Sequence, residues 1–233
     1  MGANGDEIQC LKTMSISLIS FLLALEQEVT KYNTPVVDLI AVQTRDPFKV
    51  LVATILSART RDQTTAKASS RLFDKAPDIH SLARLSEKEI RRLIHPVGFF
   101  KNKAKYLHRL PDALKPYDCS VPDELDELLK LPGVGRKTAN LVLSVAFDQP
   151  AICVDTHVHR IMNIWNFVNT KNPEATEKVL REILPVEYWK KINSILVAFG
   201  QELCKPVGPQ CDSCLFKGDC PQKGVTPRRI KKS

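Results

Sequence analysis

Leu131-Pro132-Gly133-Val134-Gly135-Arg136-Lys137-Thr138-Ala139 joins two stretches whose apolar residues recur at helical spacing. Leu125, Leu128 and Leu129 precede it, and an apolar run from Ala139 to Phe147 follows. Pro132 and the two glycines therefore predict a tight hairpin between two helices. Glycines at 133 and 135 permit positive φ and close approach of the backbone. The free N–H groups at the head of the second helix make a ready anion site. A plain helical corner would use the glycines for the turn alone, and it would not call for Arg136, Lys137 and Thr138 at the positive end of a helix dipole. Their presence points to an anionic partner or to chemistry. Lys137 divides those options, because positive potential around it favours the neutral amine, which is a nucleophile. A lysine that only contacts phosphate is the plainer alternative.

Eighteen residues beyond Lys137 stands Asp155, within Ala151-Ile152-Cys153-Val154-Asp155-Thr156-His157-Val158-His159-Arg160. An apolar run here delivers a carboxylate to the head of another helix, where Asp155 is expected to serve as N-cap. His157 and His159 are two residues apart, which puts them on different helix faces and does not suit a shared metal. Both read as structural or peripheral.

Four of the seven cysteines fall within seventeen residues, as Cys204-x6-Cys211-x2-Cys214-x5-Cys220. Pro206, Gly208, Pro209 and Gly218 place them in a loop that follows a helix. The pattern is not a secreted disulfide framework, and metal is the expected ligand. Zinc ribbons usually show two C-x2-C pairs, and here only Cys211 and Cys214 form one. Unequal flanking spacings suit a 4Fe-4S cube better, with four thiolates reaching four iron corners from one wrapped loop. Cys10, Cys119 and Cys153 sit among apolar neighbours and read as core residues.

The rest of the 233-residue chain is punctuated for helices. Nine glycines, fifteen prolines and the near absence of Asn-Gly or Asp-Gly turns leave little hairpin chemistry for strands. Asp46-Pro47 and Asn172-Pro173-Glu174 read as helix starts. Val50, Leu51, Thr54 and Ile55 form one apolar face, Ile90, Leu93 and Ile94 another, and Ile192, Ile195, Leu196 and Phe199 a further one. An all-α protein of about ten helices follows from the usual helix length.

A formal charge of +8 favours a polyanionic partner. The longest apolar run, Met14 to Leu25, is too short to span a bilayer, and it continues at helical spacing to Val29, so it reads as a buried first helix rather than a signal peptide. No membrane partner is expected, and the default location is the cytoplasm or nucleoid, or the nucleus in a eukaryote. The basic tail from Arg228 to Lys232 reads as a solvated end.

The hairpin with Lys137, the Val154-Asp155-Thr156-His157 segment and the terminal cysteine spacing together resemble the endonuclease III family of DNA glycosylases and abasic-site lyases. The resemblance runs from about Leu39 to Cys220. It includes Leu56-Ser57-Ala58-Arg59-Thr60-Arg61-Asp62 and Val97-Gly98-Phe99-Phe100-Lys101-Asn102-Lys103-Ala104, which are similar to that family's two DNA-facing loops. It implies a two-domain helix-hairpin-helix fold: a six-helix domain over residues 41–149, and a discontinuous domain of 1–40 and 150–233 that carries a 4Fe-4S cluster on Cys204, Cys211, Cys214 and Cys220. It also implies a cleft for double-stranded DNA bearing a damaged base or abasic site, and a bifunctional base-excision enzyme acting as a monomer, with oxidised pyrimidines as its targets. Lys137 would be the Schiff-base nucleophile and Asp155 the carboxylate facing it. Gly133, Val134, Gly135, Arg136 and Thr138 would meet a phosphate, and Lys103 would add another contact.

Arg59 and Phe99 occupy the positions that fill or wedge the space left by a flipped nucleotide. Phe99 reads equally as a core residue. Arg59 departs from the glutamine that many family members carry, and having no acceptor it would address the orphaned base differently. Three alternatives are a monofunctional mismatch glycosylase, a non-catalytic DNA-binding hairpin module and a zinc-stabilised helical adaptor. Lys137 argues against the first, and Asp155 with the ordered cysteines against the second. The third accounts for the cysteines only.

Overall fold

The computed structural model describes residues 16–225, and among these there are twelve α-helices, four short 3-10 turns and no strand. Cys10, the first residues of the expected N-terminal helix and the basic tail lie outside the described residues. The helices are α1 (Leu18–Glu28), α2 (Val36–Thr44), α3 (Pro47–Ser57), α4 (Asp62–Lys75), α5 (Ile79–Ala83) and α6 (Glu87–Ile94). They continue as α7 (Phe100–Leu114), α8 (Leu125–Lys130), α9 (Arg136–Ala146), α10 (Thr156–Ile164), α11 (Pro173–Ile183) and α12 (Ile192–Glu202). Twelve exceed the expected ten because that number assumed an average helix length, and α5 and α8 are only five and six residues long.

Local chemistry sets the helix starts. Asp46 Oδ1 accepts from the Phe48 amide at 2.9 Å ahead of Pro47, and Asn172 Oδ1 accepts from Ala175 N at 2.8 Å ahead of Pro173. Ser86 and Glu89 form a reciprocal capping box on α6.

The apolar faces assemble into two large cores. The first gathers α3 to α9, with Leu51, Ile55, Leu72, Ile90, Leu107 and Val142 among its members. The second gathers α1, α10, α11 and α12 around Phe21, Trp165, Phe199 and Phe216. α3 was expected to bury one face, yet Val50 through Leu56 are all buried, because α2, α4, α7 and α9 surround it. Conversely, of the expected α8 face only Leu128 is fully buried, and Leu129 is exposed.

Between the cores lies a small third cluster of Val36, Val37, Ala41, Val50, Leu141 and Cys153. The buried segment Ala151–Val154 stitches all three together. Ala151 joins the first core, Ile152 and Val154 the second, and Cys153 the small cluster. Cys153 is therefore the expected core cysteine, whereas Cys119 is only half-buried at a left-handed φ of 59°. Residues 41–149 hold seven complete helices, and α2 crosses the expected boundary at residue 41 to pack on α3, α4 and α9. No described helix is long and apolar enough to cross a membrane.

Candidate active site

α8 and α9 meet in the expected hairpin, and its two glycines differ. Gly133 adopts φ +79°, and a Cβ on it would lie 2.6 Å from the ring of Tyr106. Gly135 has an ordinary φ of −103° as N-cap of α9, so it does not use the positive φ that glycine permits, and a Cβ there would meet nothing within 4 Å. The first intrahelical bond runs from Ala139 N to the Gly135 carbonyl at 2.9 Å, and no side chain caps α9. The amides of Arg136, Lys137 and Thr138 thus precede the helical ladder and face outward as donors.

The Lys137 side chain is half-buried and opens on a cavity of about 190 Å³. Asp155 enters the same cavity from the other lobe, at the head of α10. Its Oδ1 accepts from His157 N at 2.8 Å and Val158 N at 2.9 Å, so the expected N-cap forms. Two amide donors at the helix N-terminus hold this carboxylate in place. The first turn of α9 rests on the stitching segment, where Cys153 Sγ approaches the Lys137 carbonyl at 3.6 Å, and burial pushes that thiol up to about 12.

Three further groups line the cavity that the sequence left unassigned or misread. His157 is not peripheral: it lines the cavity, and its Nδ1 accepts from the Arg160 guanidinium at 3.1 Å. Burial lowers its pKa, and the Arg160 charge adds to that effect. His159 lies on another face of α10, beside Thr176 Oγ1 at 2.7 Å, as the spacing implied. Asp62 Oδ2 accepts from Val36 N at 3.0 Å and so pins the start of α2 against α4. Asp38, on the first turn of α2, is held above the ordinary carboxylate range by burial despite a hydrogen bond from Ser194. The signal was present, since Pro35 followed by Asp38 is a helix start. Nothing local, however, could show where that helix packs.

Arg59 lines the cavity and Phe99 stands nearby, with the Arg59 guanidinium carbon 5.5 Å from the Phe99 ring centroid. Phe99 is 59% exposed, which excludes the core reading. Lys103 contradicts its expected phosphate contact. It is 5% exposed, and its ammonium donates to Leu56 O at 2.8 Å, Ala58 O at 2.6 Å and Thr60 Oγ1 at 3.2 Å. All three of its protons are thereby engaged inside the protein. Arg136 is drawn off as well, since its Nε and Nη2 donate to the Glu177 carboxylate at 2.9–3.2 Å. Val134 and Thr138 are buried, and the Val134 amide donates to the Leu131 carbonyl at 3.2 Å, so neither presents a side chain to a phosphate and Val134 presents no amide.

Cys204, Cys211, Cys214 and Cys220 are all unbridged and line one apolar cavity with Ile164 and Trp165. Burial pushes Cys204 up to about 11 and raises Cys214 and Cys220. Among the described residues no three of His, Cys, Asp or Glu converge on one point as ligands of a single ion. Four thiols spread around a cavity suit a group in which each iron takes its own thiolate.

Comparison with known proteins agrees with this geometry. Residues 52–186 match the HhH-GPD superfamily base excision DNA repair protein profile. Endonuclease III of Thermotoga maritima is 47% identical over 176 residues, which is 75% of this chain and 83% of that protein. A non-covalent endonuclease III–DNA complex superposes with a TM-score of 0.79 at 36% identity, covering 87% of this chain and 92% of the other. A trapped covalent endonuclease III–DNA intermediate gives 0.78 at 36% identity, covering 86% and 92%. With the family profile matched over residues 52–186, a relative at 47% identity and the fold in common, the chain belongs to the endonuclease III family of the HhH-GPD base excision repair superfamily.

Proposed function

We propose that Lys137 and Asp155 carry out glycosidic cleavage and strand scission on a nucleotide flipped into the cavity between the lobes. The observation that carries this is their convergence on one cavity from opposite lobes. The neutral Lys137 amine attacks C1′, the C1′–N bond breaks, and the base leaves with the bonding pair. The Asp155 carboxylate stabilises the positive charge that develops on the sugar and assists proton transfer. The nitrogen on C1′ gives up a proton, the C1′–O4′ bond breaks with its pair going to O4′, which takes up a proton, and an imine then joins C1′ to Lys137. The imine acidifies the C2′ proton, and its removal expels the 3′ phosphate by β-elimination. Water then hydrolyses the imine and frees Lys137.

Membership of the endonuclease III family supports damaged pyrimidines as targets. Outward amides at Gly135, Arg136, Lys137 and Thr138, with Gly133 shaping the turn, grip a phosphate without reading sequence. Arg59 and Phe99 fill the gap left in the stack. Cys204, Cys211, Cys214 and Cys220 would hold the 4Fe-4S cluster, which supplies rigid fastening to the C-terminal loop. The enzyme works as a monomer on duplex DNA, in whichever compartment holds the DNA. Its lobes correspond to residues 41–149, extended by α2, and to the two chain ends.

The test is borohydride trapping on duplex DNA with an abasic site. The wild-type chain should give a covalent adduct, and Lys137→Ala should give none while still binding. Absence of an adduct from the wild type would leave a monofunctional glycosylase.

A further inference from the structure

The last carbonyls of α3 need partners, and the chain around them turns sharply at Arg59. Lys103, more than forty residues away on α7, supplies them through its three hydrogen bonds to Leu56, Ala58 and Thr60. Thr60 Oγ1 accepts at the same time from Gly98 N at 3.1 Å, which ties the second loop to the first. A Cβ on Gly98 would lie 2.4 Å from the Arg59 carbonyl, so only glycine lets the loops close this far. Arg59 at φ 53° and Phe99 at φ 56° both hold left-handed conformations, which side chains with a Cβ adopt only at a cost. Both are exposed, so core packing does not hold them there. Strained, exposed residues persist where neighbouring structure over-determines them, commonly at functional sites.

We propose that Lys103 is a positioning residue that locks the 57–61 and 97–100 loops into one unit, so that Arg59 and Phe99 meet the orphaned base and the vacated stack as a preassembled pair. The proposal rests on the DNA-facing role given to Arg59 and Phe99 above. A methionine would fill the same volume, and what the lysine adds is three donors aimed at one loop. Burial lowers the Lys103 amine to about 8, in keeping with a cation held for its hydrogen bonds rather than for solvent. Its effect on DNA therefore runs through the backbone of the two loops, and not through a phosphate.

The test uses 2-aminopurine placed opposite a tetrahydrofuran abasic analogue, which reports unstacking of the orphaned base without any cleavage. Binding of the wild-type chain should raise the fluorescence. Lys103→Met should abolish most of that rise, weaken binding about tenfold and leave the salt slope unchanged. In an Arg59→Ala/Phe99→Ala background, adding Lys103→Met should change nothing more. Thr60→Val should share the Lys103→Met defect and Thr60→Ser should restore the signal, which decides the matter if Lys103→Met does not fold. A Lys103→Met chain with the wild-type signal, an equal further loss in the double-variant background, or a salt slope lower by about one would each overturn the role of Lys103. A double variant that keeps the wild-type fluorescence would instead overturn the DNA-facing role of Arg59 and Phe99, and the proposal with it.

Discussion

Gly133 and Gly135 stand two residues apart and answer to different demands. Gly133 is fixed by its own backbone and by the Tyr106 ring, so Gly133→Ala should destabilise the protein by roughly 1–3 kcal/mol in urea unfolding. Gly135 has space around it, so Gly135→Ala should fold with unchanged stability. The added methyl faces the proposed phosphate, and affinity for abasic DNA should drop about tenfold; unaltered binding would remove Gly135 from the DNA contact.

His157 makes a prediction in pH. Burial and the Arg160 and Lys137 charges lower its pKa below the ordinary 6.5, while Asp155 and Asp62 oppose them. The unfolded chain therefore takes up a proton that the folded chain refuses, and stability should fall as pH drops below about 6.5. It should level off once the folded imidazole is also protonated. His157→Asn should flatten that part of the curve in thermal melts. The sequence pointed to Asp155 correctly, because a carboxylate ahead of a helix has a local meaning. It misplaced His157 because the cavity wall it forms depends on α12, where a Cβ on Gly200 would lie 2.3 Å from the His157 ring.

Helix starts at Asp46, Asp155 and Asn172 were legible because the capping group lies within three residues. α2 is held from farther away. Pro35 offers no side-chain cap, and the Val36 amide is satisfied by Asp62 from the next lobe helix but one. Asp62→Ala should cost about 0.5–2 kcal/mol, the range for loss of an N-cap, as a lower urea midpoint with unchanged slope. α2 carries Asp38 into the cavity, so the same variant should also slow base release on damaged duplex. α3 shows the converse limit. A helix buried on every side has no stripe to find, and its neighbours come from four separate segments.

The lobes are joined by the Ala151–Val154 segment, the small apolar cluster and a charged link. Glu177, only 6% exposed, takes Arg136 from the hairpin and Arg181 from its own helix. Glu177→Ala would strand both guanidiniums and release the hairpin. A loss of about 1.5–3 kcal/mol is expected, the range for hydrogen bonds to charged groups, read as a lower melting temperature. At the far end of the second lobe, purified protein should be brown and carry about four irons per chain, and Cys214→Ser should lose both iron and colour. A colourless zinc protein would refute the cluster. DNA binding should weaken with salt at a log–log slope of about −0.9 per neutralised phosphate.

Helical class, the glycine hairpin, the N-capping carboxylate and the cysteine spacing were all written in the chain, because each depends on residues a few positions apart. Only the folded structure decided that Lys103 turns inward, that Arg136 is held by Glu177, and that Asp38, Asp62 and His157 share a cavity with Lys137 and Asp155. The Lys103 and Arg136 contacts join residues 41 to 47 positions apart, and the cavity gathers residues from Asp38 to His157. No local rule reaches that far, and the packing of whole helices sets them.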